Sequence, residues 1–238
     1  MRLAGTPRPG AVSDLDMKTV WKSLATGLAV LMLAPPAAGL AFQGPPDPER
    51  ILQRADHALE GLRTLRAEFD QQVYNPVLER TTTGHGTLSY RAPRLFRIAY
   101  SEPAGDVVVN DGERVWIYLP SSQPGQVIRQ PAAQSEVRNP LTYLRDLRGD
   151  YVAVSGGAQT IDGHTTDRLV LTPEGPGAPF MLLEVWVDRK SGFPRRVRTR
   201  TEEGVATTYT FVRLEPNVSV SSETFVFQPP AGVEIFDS

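Results

Sequence analysis

From residue 67 onward the apolar residues of this chain change their spacing from three-to-four to two, and most of the remaining length keeps that period. Ala67, Phe69, Gln71 and Val73 alternate with Glu68, Asp70 and Gln72. Behind Gly84-His85-Gly86, Leu88, Tyr90 and Ala92 alternate with Thr87, Ser89 and Arg91; after Pro93, Phe96, Ile98 and Tyr100 continue the ladder. Val107–Val109 and Val115–Leu119 flank Asn110-Asp111-Gly112-Glu113, a strong hairpin signal. Pro124-Gly125, Asp162-Gly163, Ser191-Gly192 and Glu203-Gly204 separate further short alternating runs. Many short strands joined by glycine turns specify an antiparallel sheet and exclude a βαβ plan.

Only two segments read as helix. Asp47-Pro48-Glu49 has the N-cap, first-position proline and first-turn acid of a helix start. Ile51, Leu52, Ala55, Leu59, Leu62 and Leu65 then form one apolar stripe. The second runs from Asn139-Pro140 to Arg148, with Leu141, Leu144 and Leu147 on one face and Gly149 as its stop. A twisted sheet of about ten or eleven strands curls toward closure, and its apolar inner face needs a cover. The expected fold is therefore mainly β (α+β): an incomplete antiparallel β-barrel under a short α-helical lid.

The N-terminus follows different rules. Met1 to Asp16 is polar and Pro/Gly-rich; Met17-Lys18-Thr19-Val20-Trp21-Lys22 precedes a weakly polar to apolar run from Leu24 to Ala34, closed by Pro35 to Ala41. This is the pattern of a secretory signal peptide over 1–41, with Met17 as an alternative start. The run falls short of the ~20 residues that span a bilayer. A linker over 42–47 and one domain over 48–238 follow. Removing Arg2, Arg8, Lys18 and Lys22 with Asp14 and Asp16 takes the chain from 25 basic and 27 acidic residues to 21 and 25. A net acidic chain argues against nucleic acid as partner. The sequence has no cysteine, which removes disulfides, thiolate metal sites and a lipid-attachment residue. The expectation is a soluble, exported, periplasmic monomer.

Chemistry finds no motif. There is no G-x-S-x-G, no H-E-x-x-H and no phosphate loop. His57, His85 and His164 stand apart, on the first helix and in two glycine turns. The expectation is a binding protein without cofactor or metal, not an enzyme. Arg195-Arg196-Val197-Arg198-Thr199-Arg200 puts Arg196, Arg198 and Arg200 on one strand face, either a solvated outer face or a docking stripe for an acidic partner.

Four segments carry a resemblance. They are Leu65 to Gln71 with an F-x-Q ending; Gly84 to Tyr100 with a Gly-x-Gly strand and Ala92-Pro93-Arg94-Leu95-Phe96; Val109 to Tyr118; and Phe225-Val226-Phe227-Gln228-Pro229-Pro230-Ala231-Gly232-Val233. In this order the chain resembles the LolA family of lipoprotein carriers. The resemblance implies an incomplete barrel with a helical lid. It also implies acylated lipoprotein cargo, collected from an inner-membrane lipoprotein-release complex and passed to an outer-membrane acceptor lipoprotein. The family commonly has an arginine immediately before the proline of the second segment, where this chain has Ala92. Arg94, sharing parity with Phe96 and Ile98, and Arg91, with the opposite parity, are the candidate lid contacts. By inward parity the acyl-chain cavity is expected to be lined by Leu88, Tyr90, Phe96, Ile98, Tyr100, Trp116 and Tyr118, with Leu144 and Leu147 from the lid. The competing reading is an envelope regulator that senses lipid or lipoprotein with a related barrel.

Overall fold

The computed structural model describes residues 46–135, 137, 139–141, 143, 151–174 and 180–238. The expected signal peptide and most of the second predicted helix, with Leu144 and Leu147, lie outside these residues.

The helix α1 spans Pro48–Glu60, and the Asp47 side chain caps it by accepting the Glu49 N–H. Its stripe buries Ile51, Ala55 and Leu59. Fully burying an aliphatic side chain such as Ile51 contributes about 1.5–3 kcal/mol, which is how a thirteen-residue helix persists on a sheet. Twelve strands follow: β1 (Thr64–Asn75), β2 (Arg80–Arg91), β3 (Leu95–Glu102), β4 (Val107–Asn110), β5 (Arg114–Tyr118), β6 (Gln126–Pro131), β7 (Tyr151–Ile161), β8 (His164–Pro173), β9 (Leu182–Asp188), β10 (Pro194–Arg200), β11 (Ala206–Pro216) and β12 (Glu234–Asp237). All join one open sheet in the order β12-β6-β5-β4-β3-β2-β1-β11-β10-β9-β8-β7. The count exceeds the expected ten or eleven because the C-terminal tail adds β12. That strand pairs parallel to β6, the one departure from antiparallel order among these pairs.

The turns behave as their residues dictate. Asp162 and Gly163 both take positive φ, 46° and 78°, between the paired Ile161 and His164. This is the two-residue turn whose twist matches the strands it joins. Asn110 pairs with Val115 across the Asp111–Glu113 loop, and Gly112 takes φ 101°.

Directly opposed residues of antiparallel strands point to the same side, so the register assigns every strand a face. The inner face gathers one apolar core: Leu65, Ala67 and Phe69 of β1; Leu88 and Tyr90 of β2; Phe96 and Ile98 of β3; Phe211, Val197, Val185 and Leu169 of β11 to β8; and the stripe of α1. Ile117 of β5 and Tyr151 of β7, near the two ends of the sheet, pack against this same core, so the sheet wraps around it. Arg54 of α1 bonds Asp167 of β8 at 2.6 Å, and Arg189 holds the same carboxylate at 2.6 Å. Asp167 is 2% exposed, so these two arginines supply the compensation that a buried charge requires.

The outer face divides in two. Over β2 to β5 it is covered by the chain after β11. Thr64 donates to the Val218 carbonyl at 2.6 Å, and Val220 and Phe225 are buried. Over β8 to β10 it bears Arg168, Glu184, Trp186, Arg196 and Arg198. No helix among the described residues is long and apolar enough to cross a membrane.

Candidate functional site

The inner face is not filled along its whole length. Leu88, Tyr90, Phe96 and Ile98 are 1–4% exposed and form its packed part. Toward the far ends of β1 and β2 the packing gives way to a hollow of about 870 Å³. Tyr100, Val108 and Leu119 form its apolar floor, Gln71 joins them, and Thr82, Glu102, Asp106 and Ser121 stand among its polar lining. Ligand pockets commonly measure ~300–1,000 Å³.

Two glycines shape this floor. A Cβ on Gly86 would lie 2.8 Å from the Phe69 ring and 2.5 Å from the Ala99 carbonyl oxygen. One on Gly84 would lie 3.1 Å from the Glu102 backbone oxygen and 3.4 Å from both the Tyr100 ring and the Gln71 side-chain Oε1. Neither glycine takes a positive φ, so they serve close approach rather than a strained turn. The ring of Phe69 can then settle over β2, edge-on to Tyr100 at 5.5 Å and to Tyr209 at 5.5 Å. That is the geometry aromatic quadrupoles favour.

Polar groups meet on the same face. Gln71 donates its Nε2 to the Tyr209 hydroxyl at 2.6 Å, and the Tyr209 and Tyr100 hydroxyls are hydrogen-bonded to one another. Burial pushes the Tyr209 phenol well above its ordinary range, and Tyr100 beside it adds to the rise. Burial raises Tyr100 as well, against the hydrogen bonds it makes with Tyr209 and Gln71. Both phenols therefore stay neutral and protonated at physiological pH.

The other expected lining residues fall elsewhere. Ile98 faces Val108, and Val108 faces Ile117, so the inner positions of β5 belong to Val115 and Ile117. Trp116 pairs with Val109 and Arg129, and Tyr118 with Val107, all on the outer face. The expectation for Trp116 and Tyr118 is corrected accordingly: both rings pack against Phe227 of the C-terminal segment, at 5.6 and 6.2 Å. Arg129 lies 5.5 Å from the Trp116 ring centre, and the indole N–H bonds Asp111 at 2.8 Å. Strand parity suggested the interior; the covering segment gives these rings an apolar shelter outside instead.

The two candidate lid arginines also separate. Arg91 lies on the outer face, donates to the Val220 carbonyl and sits 5.5 Å from the Phe225 ring centre. It thus anchors the C-terminal segment, which corrects its assignment to the lid. Arg94 is exposed in the turn between β2 and β3, outside both strands, so strand parity does not orient it. Of the second predicted helix, Asn139 accepts the Leu141 N–H at 2.8 Å, Leu141 belongs to the inner core, and Tyr143 packs edge-on against Phe180 at 5.3 Å.

On the bare outer face Arg196 and Arg198 do share a side. Arg196 covers Trp186 at 5.7 Å and bonds Thr210 at 3.0 Å. Glu184, 3% exposed, holds Arg168 and Arg198. A second hollow of about 470 Å³ lies here, lined by Asp70, Asp162, Trp186, Arg196, Arg198 and threonines. His57 is exposed, His85 bonds Asp70 at 2.6 Å, and His164 bonds Asp188 at 2.8 Å. Among the described residues no cluster of His, Asp and Glu could hold a metal ion.

The Phe69–Tyr100–Tyr209 floor was hidden from the sequence reading except for Tyr100 and the Gly-x-Gly signal. Tyr209 comes from a strand far along the chain, and only the β1–β11 pairing brings it to Gln71.

Comparison with known proteins agrees with this arrangement. The family model described as outer membrane lipoprotein carrier protein LolA matches residues 60–228. An outer-membrane lipoprotein carrier protein of Dechloromonas aromatica is 28% identical over 180 residues, 74% of this chain and 83% of the relative. One from Xanthomonas axonopodis pv. citri is 29% identical over 190 residues, 77% and 86% of the two chains. Among solved structures, an uncharacterized conserved protein from Thermus thermophilus shares the fold with a TM-score of 0.52 at 15% identity, covering 80% of this chain and 98% of that one.

Proposed function

This chain belongs to the LolA family of outer membrane lipoprotein carrier proteins, and we propose that its partly filled inner face shelters the acyl chains of lipoproteins on their way through the periplasm. The observation that carries the proposal is the hollow of about 870 Å³ with an apolar floor of Tyr100, Val108 and Leu119. It adjoins a core in which Phe96 and Ile98 are already packed. A body whose apolar face is packed at one end and opens at the other into a hollow with an apolar floor and a polar rim can take up hydrocarbon without unfolding.

Energetics set how tightly it should hold. Each buried CH₂ contributes ~0.8 kcal/mol, so a chain of about fifteen contributes roughly 12 kcal/mol. Several chains together would exceed the ~18–21 kcal/mol at which non-covalent affinity saturates. A carrier that must release its cargo therefore binds less tightly than its acceptor. Side chains that close over the empty face and must be displaced subtract from cargo affinity. Cargo would be received from an inner-membrane release complex and delivered to an outer-membrane acceptor lipoprotein. Binding and release suffice for this; no bond in the cargo is made or broken, so the protein acts as a chaperone and not as an enzyme.

Co-purification tests the proposal. Protein isolated from the periplasm without detergent and analysed by native mass spectrometry is expected to carry lipid or acylated lipoprotein. Folded protein recovered from such cells with neither would contradict it.

A further inference from the structure

We propose that Gln71, Tyr100 and Tyr209 form a polar subsite on the inner face that hydrogen-bonds the ester or amide carbonyl at the head of a bound acyl chain. The inference rests on the carrier reading and names what part of the cargo this chain recognises besides hydrocarbon.

A surface that only sheltered hydrocarbon would gain nothing from three polar side chains on its floor, since burying polar groups costs free energy unless each is bonded. Here they are brought together at some structural expense. Tyr100 stands on β3 and Tyr209 on β11, with β2 and β1 between them. Neighbouring strands lie about 4.8 Å apart, so the two rings must lean toward each other across β2 and β1. Gly84 and Gly86 are the β2 residues beneath that span, and a Cβ on Gly84 would touch Tyr100 and Gln71. At Gly86 the missing Cβ makes room for the Phe69 ring, against which both tyrosine rings pack.

Counting protons gives the chemistry. Gln71 has two N–H protons and each phenol has one. Gln71 donates one N–H to the Tyr209 hydroxyl at 2.6 Å, and Tyr100 lies within hydrogen-bonding reach of both. Whichever phenol donates to the other, the mutual bonds of the trio use at most three of these four protons and leave one to give. Tyr100 and Gln71 are the members of the trio that line the 870 Å³ hollow. A donor at the edge of an apolar floor suits an acceptor that carries no charge, which is what an ester or amide carbonyl is. A carboxylate suits it less, because the lining carries two carboxylates, Glu102 and Asp106, against one guanidinium, Arg80.

Three probes with the same ten-carbon chain separate the possibilities: 1-decanoylglycerol, 1-O-decylglycerol and decanoate. Each is titrated against N-phenyl-1-naphthylamine bound to the purified protein. The ester is expected to displace the dye at about tenfold lower concentration than the ether, equivalent to about 1.4 kcal/mol, with decanoate the weakest. In Tyr100→Phe the ester should fall to within twofold of the ether while the ether keeps its wild-type affinity. Gln71→Met, which loosens the trio from its other end, should narrow the gap as well, and serves alone if Tyr100→Phe lowers the melting temperature. Equal binding of ester and ether by wild type, or an unchanged gap in these variants, would overturn the subsite while leaving the carrier reading intact. Failure of dye and all three probes to bind would overturn both.

Discussion

Both sides of β4 are buried and both sides of β5 are at least half-covered beyond Arg114, yet the two sides are covered for different ends. On the inner side Val108, Val115 and Ile117 join a core that spans the sheet and borders a hollow. On the outer side Val107, Val109, Trp116 and Tyr118 lie under the C-terminal segment. There Phe225 and Phe227 point inward while Val226 between them is 56% exposed. One face is finished by its own chain and needs no ligand. The other is finished only in part, and it is there that the proposed cargo site lies. Farther along the sheet, over β8 to β10, the outer face is closed by neither device; arginines lie across Trp186 and pair with Glu184.

The contrast can be broken by substitution. Phe69→Ala removes the ring on which Tyr100 and Tyr209 lean, and losses for buried Phe→Ala run at about 3–5 kcal/mol. Urea denaturation should show a loss in that range, and lipid binding should fall further than the unfolded fraction explains. Phe225→Ala on the opposite face should fall at the low end of that range, about 3 kcal/mol, because the segment it anchors can partly collapse onto Trp116 and Tyr118. Its lipid affinity should stay within twofold of wild type. Equal loss of binding in the two variants would erase the functional distinction between the faces.

Alkaline titration sharpens the same point with a smaller effect. Phenols that titrate higher in the folded protein lend stability that is intact below their unfolded value of about 10. That stability drains away as pH rises from there through their raised folded values, by at most about 1.4 kcal/mol per pH unit and group. Tyr209→Phe should flatten this alkaline slope, while Trp116→Phe on the outer face should leave it unchanged. Melting temperatures between pH 8 and 11 would record both.

Particular residues explain what the sequence disclosed. The period of two, the Asp47 cap and the Asp162-Gly163 turn are local signals, and each maps onto an observed element. The faces of Leu88, Tyr90, Phe96, Ile98 and Tyr100 followed from the same period. For Trp116 and Tyr118 parity failed, because alternation shows which residues share a side but not which side is inner. With both sides of β5 apolar, Val-x-Ile and Trp-x-Tyr are equally good candidates for the core. What decides is the return of Val220 to Phe227 over the outer face, a long-range event with no local mark. The trio of Gln71, Tyr100 and Tyr209 was illegible for the same reason: its members meet only through the pairing of β1 with β11.

The most direct test of the account places a photoreactive benzoylphenylalanine at position 100 or at position 116 in cells and identifies what each captures on irradiation. Capture of acylated lipoprotein from position 100 and none from position 116 is the result the account predicts. Capture from position 116, with position 100 silent in a protein of wild-type stability, would place the cargo on the outer face and contradict it.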